Sequence, residues 1–107
     1  MPKIIVSYCL KPQASAEEYE KYFRQEKYSL VTSFPSVKSF KLNKVISTIE
    51  GGKSADYIGI LEITGLESYD KDRKTKKFQK FLAKWINFVQ ASSISVFCTE
   101  EVNTKIP

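Results

Sequence analysis

The sequence predicts an α+β fold in which a four-stranded antiparallel sheet carries two helices on one face. Three observations support this prediction. Four segments are rich in β-branched and aromatic residues, two other segments repeat apolar residues at helical spacing, and a Gly51-Gly52 pair separates two of the strand-like segments. Adjacent glycines adopt the positive φ angles of a tight hairpin without steric strain, so the two flanking segments are expected to pair.

The first half of the chain predicts a strand, a helix and a second strand. Residues 3–10 alternate as a strand whose two faces are both largely apolar, so both faces should be covered. Ser15 and Glu18 form a capping box that begins a helix at about residue 16. Pro35 ends this helix at about residue 33, because proline disfavours helical backbone in the residue before it. The second strand should span residues 37–49.

The second half predicts the remaining two strands and the second helix. After a turn at residues 50–53, residues 55–64 are nearly all apolar, as expected of a central strand. Residues 66–89 carry aromatic and aliphatic side chains three or four positions apart, which indicates an amphipathic helix. Residues 92–102 form the last strand, and the pattern leaves open which of its two rows faces the helices.

This order of elements, strand–helix–strand–strand–helix–strand, is the ferredoxin-like βαββαβ arrangement. Hairpin pairing places the third strand between the first and the second, and right-handed crossovers place both helices on one face. The opposite face is then bare and apolar, and a patch of that size normally has a partner. We therefore expect a two-fold homodimer through the sheet face.

Composition limits the class of protein. With 107 residues the chain is expected to form a single domain, 1–107. No apolar run approaches the ~18 residues that a membrane span needs, and Cys9 and Cys98 are too few for a disulfide framework. We therefore expect a soluble, cytoplasmic protein with free thiols that does not bind membranes.

The absence of histidine excludes several kinds of catalytic site. The chain has no histidine, so it cannot form Ser-His or Cys-His catalytic pairs or any histidine-based metal site. It also carries no phosphate or flavin motif, and we expect no cofactor and no metal. A reaction in this protein would depend on Glu, Asp, Lys, Tyr, Cys or a bound cofactor.

The net charge of +5 raises the question of an acidic partner. Many of the basic residues lie in the second helix, opposite its aromatic stripe, where a solvated face belongs. That face has no interleaved aromatic residues, and the strands lack the aromatic motif of ferredoxin-like RNA-binding domains. We therefore do not expect nucleic acid as a partner.

Residues 22–45, YFRQEKYSLVTSFPSVKSFKLNKV, resemble the first helix and second strand of dimeric α/β-barrel proteins. The EthD-like groups often carry H-x-P-L, then Pro-Gly-Val and an aromatic residue. This chain has Lys27-Tyr28-Ser29-Leu30, Pro35-Ser36-Val37 and Phe40. Over its whole length the chain is similar to the RedY/HapK-like group, which is associated with prodigiosin-type pigment synthesis.

The resemblance implies a homodimer with a small-molecule pocket between helices and sheet in each subunit. It also implies a role in tripyrrole pigment synthesis, in its bipyrrole branch. Lys27 stands where EthD-like sequences often have histidine. Polyketide-cyclase relatives carry histidine in the first strand and near the second helix, whereas this chain has Ile5 in the first strand and no histidine, so a histidine-based cyclase mechanism does not transfer to it.

Two neighbouring residues of the first helix are candidates for catalysis. Glu26 lies near the centre of the apolar stripe, where an unpaired carboxylate would cost several kcal/mol. It is a candidate acid or base, or an acceptor for a pyrrole N–H; the alternative is a structural ion pair with a lysine or a bond with a tyrosine. Lys27, at the edge of the stripe, is a candidate for polarising a carbonyl or forming an imine. The alternative is a lysine that extends its amine into water.

Other residues are candidates for lining a ligand pocket. Ser7 and Cys9 point the same way from the first strand, and the resemblance implies that this row faces the helices. For Cys9 the alternative is an ordinary small core residue, and Gly59 would allow close approach of a ligand. A packed core is the alternative for the aromatic candidates, which are Phe23, Phe40, Tyr57, Tyr69, Phe81 and Trp85.

The sequence thus favours a small biosynthetic accessory protein or enzyme that binds an aromatic, pyrrole-like intermediate. The alternative is a non-catalytic scaffold or chaperone for another enzyme of the pathway. The residues leave open whether the protein catalyses a reaction.

Overall fold

The structure of the protein, a computed structural model, describes residues 1–52 and 54–106. It confirms the predicted α+β, ferredoxin-like order of elements. The strands are β1 (Lys3–Tyr8), β2 (Val37–Lys44), β3 (Tyr57–Ile63) and β4 (Ser95–Thr99). The helical segments are α1 (Ala16–Tyr22), a π-helical turn (Phe23–Lys27), α2 (Tyr28–Thr32), α3 (Leu66–Arg73), α4 (Lys76–Trp85) and a short 3-10 turn (Ala91–Ser93). Within the described residues, no helix combines the length and apolar character that crossing a membrane requires.

The four strands form one antiparallel sheet in the order β2-β3-β1-β4. This order confirms that β3 lies between β1 and β2. The row of β1 that contains Ile4 and Tyr8 faces the helices, and both residues are 1% exposed. The opposite row contains Ile5, whose neighbours across the sheet are Ile60 and Phe97. This second face has no helical cover within the described chain, and Phe97 is 56% exposed.

The connection between β2 and β3 is longer than the tight turn predicted from the glycine pair. The two strands pair as far as Lys44 and Tyr57, and the Val45 N–H donates to the Asp56 carbonyl over 2.9 Å. The predicted strand ends at residues 49 and 55 were therefore wrong. Ile46 and Ile49 are each 93% exposed, so extending the ladder along these residues would bury no apolar surface. Gly51 does adopt a positive φ of 102°, while Lys53 of the predicted turn lies outside the described residues.

The predicted helix over residues 66–89 is two helices, α3 and α4. The break lies at Thr75, whose hydroxyl accepts a hydrogen bond from the Phe78 N–H over 3.2 Å and donates to the Asp72 carbonyl over 2.7 Å. Threonine in extended backbone is a favoured N-cap, since its oxygen satisfies a free N–H of the first turn. Half of the predicted capping box is confirmed, because Ser15 Oγ accepts from the Glu18 N–H over 3.1 Å; the described hydrogen bonds include none from the Ser15 N–H to the Glu18 carboxylate.

Candidate functional site

A cavity of about 200 Å³ lies between the helices and the covered face of the sheet. Its walls are mostly aromatic and aliphatic side chains from all four strands and from the helices. Six of the residues predicted for the site line this cavity: Lys27, Phe40, Gly59, Tyr69, Phe81 and Trp85. The indole of Trp85 and the ring of Phe81 stack with centroids 6.0 Å apart and an angle of 16° between their planes, so they form one flat part of the wall.

The amine of Lys27 lies inside this apolar environment. The residue is 4% exposed, and its Nζ donates to Tyr19 Oη over 2.7 Å and to Tyr8 Oη over 3.3 Å. The centroid of the Trp85 ring lies 4.7 Å from Nζ. The alternative of a lysine that extends its amine into water was therefore wrong.

Burial lowers the pKa of Lys27 from 10.5 to about 7. Removing an ammonium from water disfavours its charged form, and an opposing carboxylate would offset that effect. Among the residues that the structure describes, no carboxylate forms an ion pair with Lys27. A large fraction of the amine is therefore uncharged near neutral pH, and an uncharged amine is nucleophilic.

Two tyrosine hydroxyls and an indole N–H surround the amine. Trp85 Nε1 donates to Tyr19 Oη over 3.0 Å, and the hydroxyls of Tyr19 and Tyr8 are hydrogen bonded to each other. When Tyr19 accepts from both Trp85 and Lys27, its own proton is directed to Tyr8, and the Tyr8 proton is left to point elsewhere. Tyr8 lines the cavity, and its hydroxyl can donate either to a ligand or to the nitrogen of the uncharged Lys27.

Both hydroxyls keep their protons at neutral pH. Burial raises the pKa of Tyr19 to about 12 and raises that of Tyr8 further above its ordinary value. A buried phenol disfavours the charged phenolate for the same reason that a buried lysine disfavours the ammonium. The site therefore presents hydrogen-bond donors and a nucleophilic nitrogen together.

A π-helical turn brings Lys27 into the cavity. The Tyr28 N–H bonds to the Phe23 carbonyl, five residues back, instead of four as in an α-helix. The extra residue rotates the following residues by about 100° relative to a regular helix. Lys27 consequently points inward, in the direction that Glu26 would have had.

Glu26 lies on the outside of the same turn. Its side chain is 51% exposed, and Oε1 accepts a hydrogen bond from Lys84 Nζ over 2.5 Å. The prediction that Glu26 lies inside the apolar stripe was wrong, and the ion-pair alternative is the observed one. Its carboxylate borders a separate surface groove of about 250 Å³ that Lys77 and Lys80 also line.

The predicted orientation of Ser7 and Cys9 was also wrong. Val6 and Tyr8 line the cavity, so Ser7 faces the bare side of the sheet, opposite Ile58. Cys9 follows the end of β1, where its N–H donates to Ser93 Oγ over 2.8 Å. Both Cys9 and Cys98 are free thiols. The two rows of β1 are almost equally apolar, and burial of the large Tyr8 ring decides which row faces the helices.

Two predicted aromatic residues support the cavity without lining it. Tyr57 is 2% exposed, stacks on Tyr8 with centroids 6.0 Å apart, and donates to Glu20 Oε2 over 2.6 Å. Phe23 packs edge-on against Phe40 with centroids 5.4 Å apart. These residues hold in place the rings that form the wall.

Sequence reasoning missed Tyr8 and Tyr19 as site residues. A buried phenol hydroxyl needs a hydrogen-bond partner, and Tyr8 and Tyr19 lie in apolar stretches of the first strand and the first helix. That rule marks both residues as candidates, but it does not say which row of the first strand faces the helices. Arg73, which borders the cavity, carried no signal beyond its place in a basic helix.

Several solved structures share this fold. HapK from Hahella chejuensis is 19% identical, with a TM-score of 0.78 over 100% of this chain and 98% of that one. An EthD family protein from Bacillus halodurans is 15% identical, with a TM-score of 0.74 over 95% of this chain and 99% of that one. A protein from Thermobifida fusca, described as a dimeric ferredoxin-like protein of unknown function, is 10% identical, with a TM-score of 0.69 over 92% and 88%.

At these identities the likeness establishes the fold. No curated protein matches the sequence of the chain. A model of the family described as REDY-like protein HapK matches residues 2–102. The chain therefore belongs to the HapK family of REDY-like proteins.

Proposed function

We propose that this protein binds a small aromatic, pyrrole-like intermediate of prodigiosin-type pigment synthesis in the cavity under its helices. The chain acts in the cytoplasm as a single domain and as a homodimer. The observation that carries the proposal is a buried amine, Lys27, in a cavity whose walls are aromatic. Membership of the HapK family supports the assignment to this pathway.

The size and chemistry of the cavity support a ligand with one or two small rings. A dry apolar cavity of about 150 Å³ binds benzene, and the cavity here is about 200 Å³. The stacked rings of Phe81 and Trp85 offer a flat surface for an aromatic ligand. Tyr8 and Lys27 add a few polar groups at one end, as is usual in sites that orient a small molecule.

The uncovered sheet face supports the homodimer. Ile5, Ile60 and Phe97 are neighbours across three strands of this face, and in the part of the chain that the structure describes the helices pack on the other side. A relative with the same fold is described as dimeric. Ile60→Lys should yield monomers in analytical ultracentrifugation, because a buried unpaired charge opposes association. A wild-type protein that sediments as a monomer at micromolar concentration would overturn the dimer.

Fluorescence titration tests the binding function. Trp85 is the only tryptophan of the chain, so its emission reports on the cavity directly. Bipyrrole aldehydes and simpler heteroaromatic compounds should change this emission in a saturable way. No saturable response across the series would overturn the proposal.

A pair of variants controls for indirect effects. Lys27→Met keeps a side chain of similar length but removes the amine from the cavity, and it should weaken binding of carbonyl-bearing ligands. Lys84→Met removes an exposed lysine from α4 and should leave binding unchanged. If intact cavity variants keep full pigment production in cells while surface variants disrupt a complex with another enzyme, the scaffold function replaces this proposal.

A further inference from the structure

We propose that Lys27 captures the formyl group of an aromatic aldehyde as an imine. This inference rests on the proposed function and names the class of ligand, because the aldehyde must first enter the same cavity. It depends on three features of the site: the position of the amine, the lack of a counter-charge and the neighbouring hydroxyls.

The amine is placed where a ligand carbonyl would arrive. Lys27 borders the cavity and is 4% exposed, and the centroid of the Trp85 ring lies 4.7 Å from Nζ. A heteroaromatic ring that stacks along Trp85 and Phe81 brings a substituent on its edge toward Nζ. Arg73 also borders the cavity, but half of its side chain is exposed and a guanidinium is not a nucleophile.

The lack of a counter-charge favours a chemical role over a structural one. A buried lysine that serves only structure is normally paired, since an unpaired buried charge costs several kcal/mol. Within the described part of the chain the hydrogen-bond partners of Lys27 Nζ are the two phenol oxygens of Tyr8 and Tyr19, and its other close neighbours are uncharged aromatic rings. These neutral partners leave the amine uncharged in part, which is the state that attacks a carbonyl.

The hydroxyls assist the steps of the reaction. The Tyr8 hydroxyl can donate its proton in a hydrogen bond to the aldehyde oxygen, which makes the carbonyl carbon more electrophilic. The nitrogen lone pair then forms a C–N bond, the C=O π electrons move to oxygen, and a proton passes from nitrogen to that oxygen to give a carbinolamine. Loss of this oxygen with two protons as water leaves the C=N bond. One amine and one aldehyde thus give one imine and one water, without any oxidant or reductant.

Reductive trapping tests the inference. The full-length protein is incubated with pyrrole-2-carbaldehyde and cyanoborohydride, which reduces iminium ions much faster than aldehydes. Intact mass should increase by one pyrrolylmethyl group per chain, and peptide mapping should place it on Lys27. At pH 7 an amine with the pKa of Lys27 is uncharged on the order of 10³-fold more often than an ordinary lysine. Even with restricted access, label on Lys27 should exceed that on Lys84 by roughly tenfold or more.

The controls separate failure of the imine from failure of binding. Lys27→Met should lose this label and Lys84→Met should keep it; if Lys27→Met does not fold, the peptide map of the wild-type protein still decides. Quenching of Trp85 by both pyrrole-2-carbaldehyde and carbonyl-free 2,2′-bipyrrole, with no preferred label on Lys27, would overturn the imine and leave the binding function intact. No quenching by either compound, together with no label, would overturn both.

Discussion

Replacing Lys27 with methionine should make the protein more stable at neutral pH, and the gain should diminish as the pH rises. The folded pKa of about 7 lies below the unfolded value of 10.5, so the unfolded chain binds more protons between these two values. The stability of the wild-type protein therefore rises with pH across this window, and the penalty for burying Lys27 is fully present below it.

The size of the effect follows from these two values. A pKa lowered from 10.5 to about 7 corresponds to a free-energy difference of about 5 kcal/mol, at about 1.4 kcal/mol per pH unit. Methionine lacks the charge but also lacks the hydrogen bonds to Tyr19 and Tyr8, which offset about 1 to 3 kcal/mol of the gain. Between about pH 7 and pH 9, the difference in the free energy of unfolding between variant and wild type should decrease by about 2 kcal/mol.

Urea denaturation at a series of pH values measures this difference. Comparison with wild type at each pH cancels the contributions of the other titrating groups, and Lys84→Met, which removes an exposed lysine, should follow the wild-type profile. A Lys27→Met profile parallel to that of wild type would refute the reasoning, because it would mean that Lys27 keeps its charge in the folded protein.

Three further substitutions test other parts of the structure. Gly59→Val should lower the affinity for aromatic ligands by roughly tenfold or more in the fluorescence titration. A Cβ at this position would lie 3.4 Å from Phe40, and the two methyl groups of valine would extend into the cavity. An unchanged affinity would contradict the cavity as the binding site. Thr75→Ala should lower the free energy of unfolding by about 1 kcal/mol in urea denaturation, because it removes the cap of α4, and a neutral effect would contradict that cap. Glu26→Gln should change stability by less than about 1 kcal/mol and leave binding unchanged, because the carboxylate is half exposed and outside the cavity; a large loss of binding would restore Glu26 to the site.

The periodicity of the sequence predicted the fold because each element buries one stripe or row of apolar side chains. Periodicity fails as a guide where two alternative arrangements of an element would bury similar amounts of apolar surface. The two rows of β1 differ little in apolar character, so the sequence alone could not place Tyr8 toward the helices and Ser7 away from them. The ends of β2 and β3 were overestimated because Ile46 and Ile49 have the residue type of a strand but no surface to cover.

The sequence predicted the aromatic wall of the candidate site but not the arrangement of its polar groups. Its aromatic wall follows from residues that are apolar in any environment, and Phe81 and Trp85 lie where helical spacing places them. The sequence could not predict that Lys27 points into the cavity and Glu26 points away from it, because the helical spacing used for that prediction assumes 3.6 residues in every turn. The hydrogen bonds among Tyr8, Tyr19 and Trp85 depend on contacts between distant elements, which local patterns do not contain.

The π-helical turn has a consequence for matching this chain to its relatives. The π-helical turn contains one extra residue between Phe23 and Lys27, so α1 and α2 can both pack their apolar sides against the sheet. A homologue with an uninterrupted α-helix would place its two halves at the same positions with one residue fewer. An ungapped sequence alignment would then match the homologue's inward-pointing residue to a residue other than Lys27. The residue equivalent to Lys27 should be identified only after a gap has been placed within this turn.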